Sequence, residues 1–205
     1  MPMLSDKTVV LGLSGGIACY KSAELVRGLV KEGANVRIVL TRAAQEFITP
    51  LTLQTLSGNP VSTDTFDLTQ ESEIGHIRLA DSAHVLAIAP ATANVIAKLA
   101  HGIADDLLTT VALATRAPIV VAPAMNVNML QNHIVQANIE RLRKSGMHVV
   151  DPEEGFLACG YEGQGRLASQ PALIEGIKIA LTPQTLAASS KRDLDVIRRS
   201  VACQR

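Results

Sequence analysis

The chain has 205 residues, 47% of them hydrophobic but only 2% aromatic and none tryptophan, so its core must be built from Val, Ile, Leu and Ala, which suits parallel strands covered on both faces. Lys plus Arg and Asp plus Glu number 19 each; a net charge of zero and so few aromatics speak against a nucleic-acid partner. The start MPMLSDK lacks a signal-peptide pattern, the apolar stretch 110–125 is broken by Arg116 and Pro118, and Cys19, Cys159 and Cys203 form no CxxC pair; a cytoplasmic protein without membrane span, disulfide framework or metal site is expected.

TVVLGL (8–13) is the first predicted strand. SGGIA (14–18) comes next: small residues leading into a helix let the backbone approach an anion, and a helix start favours negative charge. The stretch matches neither GxGxxG nor GxxxxGK[ST], which weakens dinucleotide and P-loop readings; a tight turn without ligand is the structural alternative. A helix is predicted over 18–33, with Leu25, Val26, Leu29 and Val30 on one face and Gly33 as its stop. NVRIVL (35–40) is the second strand, and Thr41 after it is placed to cap the next helix. NPVST (59–63) is a weaker strand. His76 stands in SEIGHIRLAD (72–81), where a lone histidine is more often structural than catalytic.

HVLAIA (84–89) is the next strand and runs into APATAN (89–94). Pro90 ends it, and Thr92 and Asn94 then offer a hydroxyl and an amide; either reads equally well as the N-cap of a helix beginning near Val95. Helices are predicted at 94–102 and 106–115. PIVVAP (118–123) leads into APAMNVNM (122–129), so two strands end in Ala-Pro-Ala and each then presents an asparagine. The amide of Asn126 requires a partner: backbone, water, another subunit or a ligand. A helix over 132–146 and a strand MHVV (147–150) come after it. Segment 151–171 has four glycines and almost no periodicity, which predicts a long ordered loop or flap holding Cys159. Beyond Pro183 the chain turns polar, so 1–182 is expected to be the folded domain and 183–205 a tail or linker. The alternation predicts a three-layer α/β/α, Rossmann-like doubly wound parallel sheet in the order 3-2-1-4-5-6, with ligands at the carboxyl ends of its strands.

Six stretches in order, SGGIAxYK (14–21), TxAAxxFITPLTLQTLSG (41–58), GHIxLA (75–80), APATAN (89–94), PAMNxxM (123–129) and ACGxxGxGR (158–166), make the chain resemble the homo-oligomeric flavin-containing cysteine decarboxylases over residues 5–182. The resemblance implies FMN as cofactor, with Ser14, Gly15, Gly16 and Thr41 at its phosphate and Thr92, Ala93 and Asn94 at its ribityl chain and ring. It implies His76 as an active-site base and Asn126 as the group that holds the substrate carboxylate, with Met125 and Met129 beside it. Cys159 would be the flap's proton donor. A cysteine carboxylate loses carbon dioxide only once its carbanion has an electron sink, and oxidation of the thiol to a thioaldehyde supplies one. The motifs TPLTLQTLSG and the flap resemble the branch that decarboxylates 4'-phosphopantothenoyl-cysteine in coenzyme A biosynthesis more than the branch acting on lantibiotic-type peptides, or a non-catalytic flavin-binding regulator. Leu130 and Gln170 stand where many relatives have Trp and Glu. The family builds its site at a trimer interface, so a homotrimer or homododecamer is implied.

Overall fold

A computed structural model describes residues 3–65, 75–156, 160 and 162–182. In chain order the elements are β1 (Thr8–Leu13), α1 (Cys19–Lys31), β2 (Asn35–Leu40), a 3-10 turn (Arg42–Glu46), α2 (Pro50–Ser57), β3 (Val61–Ser62), α3 (Gly75–Ser82), β4 (Val85–Ala91), α4 (Ala93–His101), α5 (Leu107–Ala114), β5 (Ile119–Pro123), α6 (Val127–Gln131), α7 (His133–Lys144), β6 (His148–Val149), β7 (Glu153–Phe156), β8 (Glu162–Arg166) and α8 (Gln170–Leu181). The first six strands form one sheet in the order β3-β2-β1-β4-β5-β6, with every pairing parallel. This is the doubly wound order expected from the sequence, and its switch point lies between β1 and β4.

The strands are apolar throughout because both faces are covered. Alternate residues of β1 feed two cores. Val9, Leu11 and Leu13 join Leu25, Leu29, Ile38 and Ile177 on the side of α1 and α8. Val10 joins Leu86, Ile88, Ile96, Leu108 and Leu142 on the side of α4, α5 and α7. Each side chain named is at most 1% exposed. Burying a residue of this size stabilises by about 1.5–3 kcal/mol.

Two expectations need correcting. The sequence pattern assigns no helix to 50–57, 75–82 or 170–181, yet α2, α3 and α8 occupy them. The signal for α2 is local: Thr49 accepts a hydrogen bond from the Thr52 amide, Pro50 takes the first helical position, and Gly58 closes the helix at φ 70°. The segment 151–171 is also more ordered than a loop, since β7 and β8 pair as an antiparallel hairpin and α8 begins at Gln170. Its strands show no hydrophobic alternation because the hairpin stands off the core; Phe156 is 73% exposed. Residues 157–159, which include Cys159, and the tail 183–205 lie outside the described residues. Among the described residues, no helix is long and apolar enough to cross a membrane.

Candidate functional site

The carboxyl ends of β1, β2, β4 and β5 open into one cleft of about 1280 Å³. Its lining brings together Ser14, Gly15, Gly16, Thr41, Thr92, Ala93, Asn94, Met125, Asn126 and Met129, all singled out from the sequence.

The turn after β1 is held by its first residue. Ser14 is 1% exposed, and its hydroxyl donates to the Pro90 carbonyl at 2.8 Å and accepts from the Thr92 amide at 2.9 Å. That hydroxyl is therefore used to tie β1 to the end of β4, across the switch point. The turn offers the cleft its backbone instead. The amides of Gly15, Gly16, Ile17 and Ala18 have no hydrogen-bond acceptor among the described residues, and they immediately precede the first turn of α1. Four free N–H groups at a helix start form an anion cradle. Gly15 is required there, because a Cβ would run into the Ala43 side chain and carbonyl. Thr41 closes the same end by accepting from the Ala44 amide at 3.3 Å, which caps the 3-10 turn and leaves its hydroxyl hydrogen to donate.

Thr92 caps α4 by accepting from the Val95 amide at 3.5 Å, so the capping alternative holds for it. Asn94 is exposed on that helix, and its side chain makes no hydrogen bond among the described residues. One turn further on, Lys98 reaches Asp105 at 2.7 Å and Asp106 at 2.8 Å. Burial alone would lower the Lys98 pKa, but the two carboxylates outweigh it and the net shift is upward. Burial alone would raise Asp106, but hydrogen bonds from Lys98 and Thr109 outweigh that and leave its carboxyl below the usual range.

Asn126 comes after β5 and caps α6, its Oδ1 accepting from the Asn128 amide at 2.8 Å. The hairpin closes over this loop: the Met125 amide donates to the Gly165 carbonyl at 3.0 Å. Gly165 has φ 148°, and a Cβ there would strike the Met125 carbonyl, so only glycine permits this approach. Hence the flap is tied to the loop that carries Asn126.

His76 is placed differently. It sits half-buried in the first turn of α3 and does not line the cleft. Its Nδ1 is buried with no hydrogen-bond partner among the described residues. Cys159 lies outside the described residues.

The cleft also contains residues that the sequence reading does not assign to the site: Tyr20, Lys21, Lys98, Phe156 and Arg166. Tyr20, Lys21 and Arg166 are spelled out in SGGIAxYK and ACGxxGxGR. Lys98 is four residues after Asn94, on the same helical face. Burial and the nearby positive charge of Arg166 push Lys21 down, against a smaller opposing pull from Glu153 and Glu24. Glu153 itself is held below the usual carboxylate range by hydrogen bonding from Ser169, whose amide reaches it at 2.8 Å.

A family model described as Flavoprotein matches residues 2–182. Among curated proteins, the chain is 46% identical over 190 residues to the coenzyme A biosynthesis bifunctional protein CoaBC of Vibrio parahaemolyticus, covering 93% of this chain and 48% of that one. It is 50% identical over 173 residues to the CoaBC protein of Bacillus subtilis, covering 84% and 43%. The chain thus spans about half the length of these curated relatives, or less. Among solved structures, it is similar to a mutant PPC decarboxylase complexed with pantothenoylaminoethenethiol, at TM-score 0.75 and 31% identity, covering 84% of this chain and 97% of that one. It is also similar to the FMN-dependent cysteine decarboxylase SpaF, at TM-score 0.72 and 34% identity, covering 85% and 99%.

Proposed function

The chain belongs to the Flavoprotein family, and from that premise we propose that it catalyses FMN-dependent decarboxylation of 4'-phosphopantothenoyl-cysteine to 4'-phosphopantetheine, a step in coenzyme A biosynthesis. The observation that carries this reading is the cleft itself. One end offers four free backbone amides at residues 15–18, and the other offers Asn126 under a tethered flap. The amide turn suits the single phosphate of a mononucleotide, and the chain lacks a dinucleotide fingerprint. Thr92, Ala93 and Asn94, which line the same cleft, would hold the sugar-alcohol chain and ring of that cofactor. The bound flavin supplies a two-electron oxidant for the substrate thiol. The two CoaBC relatives and the PPC decarboxylase neighbour support this substrate over a peptide.

The chain's own residues orient, protonate and shield. Asn126 holds the carboxyl end of the substrate, its side chain set by the cap on Asn128. Met125 and Met129 border that position with apolar surface. The hairpin strand that includes Gly165 covers the loop and restricts water. His76 acts as the base that accepts a proton, and Cys159 as the acid that returns one. His76 lies outside its own chain's cleft, and its buried Nδ1 has no partner among the described residues. Ile17, Tyr20 and Phe156 in the cleft wall are 56%, 60% and 73% exposed. Both facts support an assembly, trimer or dodecamer, in which a neighbouring copy covers the cleft and brings in its histidine. A cytoplasmic location fits a pathway with a diffusible phosphorylated substrate.

The test is direct. Purified protein is expected to be yellow, to release FMN rather than FAD on denaturation, and to release carbon dioxide from 4'-phosphopantothenoyl-cysteine far faster than from a peptide ending in cysteine. Colourless protein that takes up no added FMN would refute the assignment, and faster turnover of the peptide would move it to the peptide branch.

A further inference from the structure

Four cations line the cleft: Lys21, Arg42, Lys98 and Arg166. Lys98 is neutralised by Asp105 and Asp106. Lys21, Arg42 and Arg166 form no ion pair among the described residues, and of these Lys21 and Arg166 line the cleft within each other's field. Their shared counter-charge is the single carboxylate of Glu153, held ionised by the Ser169 amide at 2.8 Å and attracted to both cations.

The fold holds this pair of like charges together. Arg166 ends β8, directly after Gly165, whose carbonyl is bonded to the Met125 amide. Gly155 on the facing strand leaves space for it: a Cβ there would lie 3.3 Å from the Arg166 guanidinium. Lys21 is in the first turn of α1, and its electrostatic neighbours Arg166 and Glu153 both belong to the hairpin. So one cation comes from the scaffold and one from the flap, beside the loop that carries Asn126. Two cations that share one carboxylate keep a net positive charge in the cleft, and an anion that bridges them is stabilised there. The cofactor's single phosphate already has the amides of residues 15–18, so a second anion is implied.

We propose that Lys21 and Arg166 form the subsite for the phosphate monoester at the far end of the substrate, and thereby set the preference for phosphorylated over unphosphorylated pantothenoyl-cysteine. This rests on the decarboxylase reading above. With Asn126 at the carboxyl end and this pair at the phosphate end, the substrate is anchored at both ends.

The experiment compares kcat and KM of the holoenzyme and of Arg166→Gln, Arg166→Lys and Lys21→Gln on 4'-phosphopantothenoyl-cysteine and on pantothenoyl-cysteine. Arg166 is exposed, so the fold should tolerate its replacement. The unaltered enzyme is expected to prefer the phosphorylated compound. Each Gln variant should raise KM for that compound roughly 10- to 100-fold, shrinking the preference by the same factor, while Arg166→Lys keeps part of it. Equal losses on both compounds, or no preference in the unaltered enzyme, would overturn the proposal. Affinities for FMN and riboflavin are measured alongside. If Arg166→Gln erases the discrimination between those two flavins, the pair serves the cofactor's phosphate and the subsite is wrongly assigned. Turnover of neither compound by the unaltered enzyme would sink the decarboxylase reading and this subsite with it.

Discussion

Asn126 shows how one side chain can both cap a helix and line a cleft. Its Oδ1 caps α6 through the Asn128 amide, so the capping alternative open to any asparagine after a strand is realised. It also lines the cleft beneath the flap. Asp caps as well as Asn, so Asn126→Asp should fold and keep its FMN. The new carboxylate would face the substrate's own in a site shielded from water, where like charges are costly. Carbon dioxide release is expected to fall roughly hundredfold or more, with the flavin absorbance unchanged; near-normal release would leave Asn126 only its cap. The two asparagines were legible in the sequence because each comes after an Ala-Pro-Ala strand end, and strand ends are where open parallel sheets bind ligands. Lys98 with Asp105 and Asp106 was not, because nothing in the spacing shows that α4 and the start of α5 turn their charged ends toward each other. The spent hydroxyl of Ser14 was also invisible, since its partners Pro90 and Thr92 are more than seventy positions away.

At the scale of elements, the junction between α4 and α5 depends on charge. Asp106 caps α5 in a capping box with Thr109 and also pairs with Lys98. Its folded pKa is depressed, so its contribution is present above the unfolded value of about 3.9 and is lost as pH falls through the lower folded value. Lys98 is raised, so its share is intact below its unfolded pKa and is lost only in strong alkali. Asp106→Asn keeps a cap but removes the charge. Urea unfolding should find it about 1 kcal/mol less stable at pH 7, with the gap closing in acid below about pH 4; a gap that persists undiminished at pH 3 would show that charge is not its source. Strands β1, β2, β4 and β5 were readable because burial on both faces makes them continuously apolar. The hairpin was not, because Gly155 faces Gly163 across it and neither strand packs an apolar face on the core.

At the scale of the molecule, two residues proposed for the chemistry part company. The cleft holds Asn126 but not His76. If a neighbouring copy supplies the histidine, His76→Asn and Asn126→Asp should each be inactive alone yet partly active when co-expressed. Random pairing of equal halves gives roughly a quarter of the sites both intact residues. Recovery of carbon dioxide release to that order in the mixed assembly, with flavin content equal throughout, is the expected result; no recovery would place both residues in one chain's site. The cradle at residues 15–18 has a further consequence, for inheritance. Its donors belong to the main chain, which every substitution except proline leaves in place. Descendants of this sequence therefore need not preserve a functional group there, only smallness at Gly15, and the turn is lost not by deleting chemistry but by adding atoms to it.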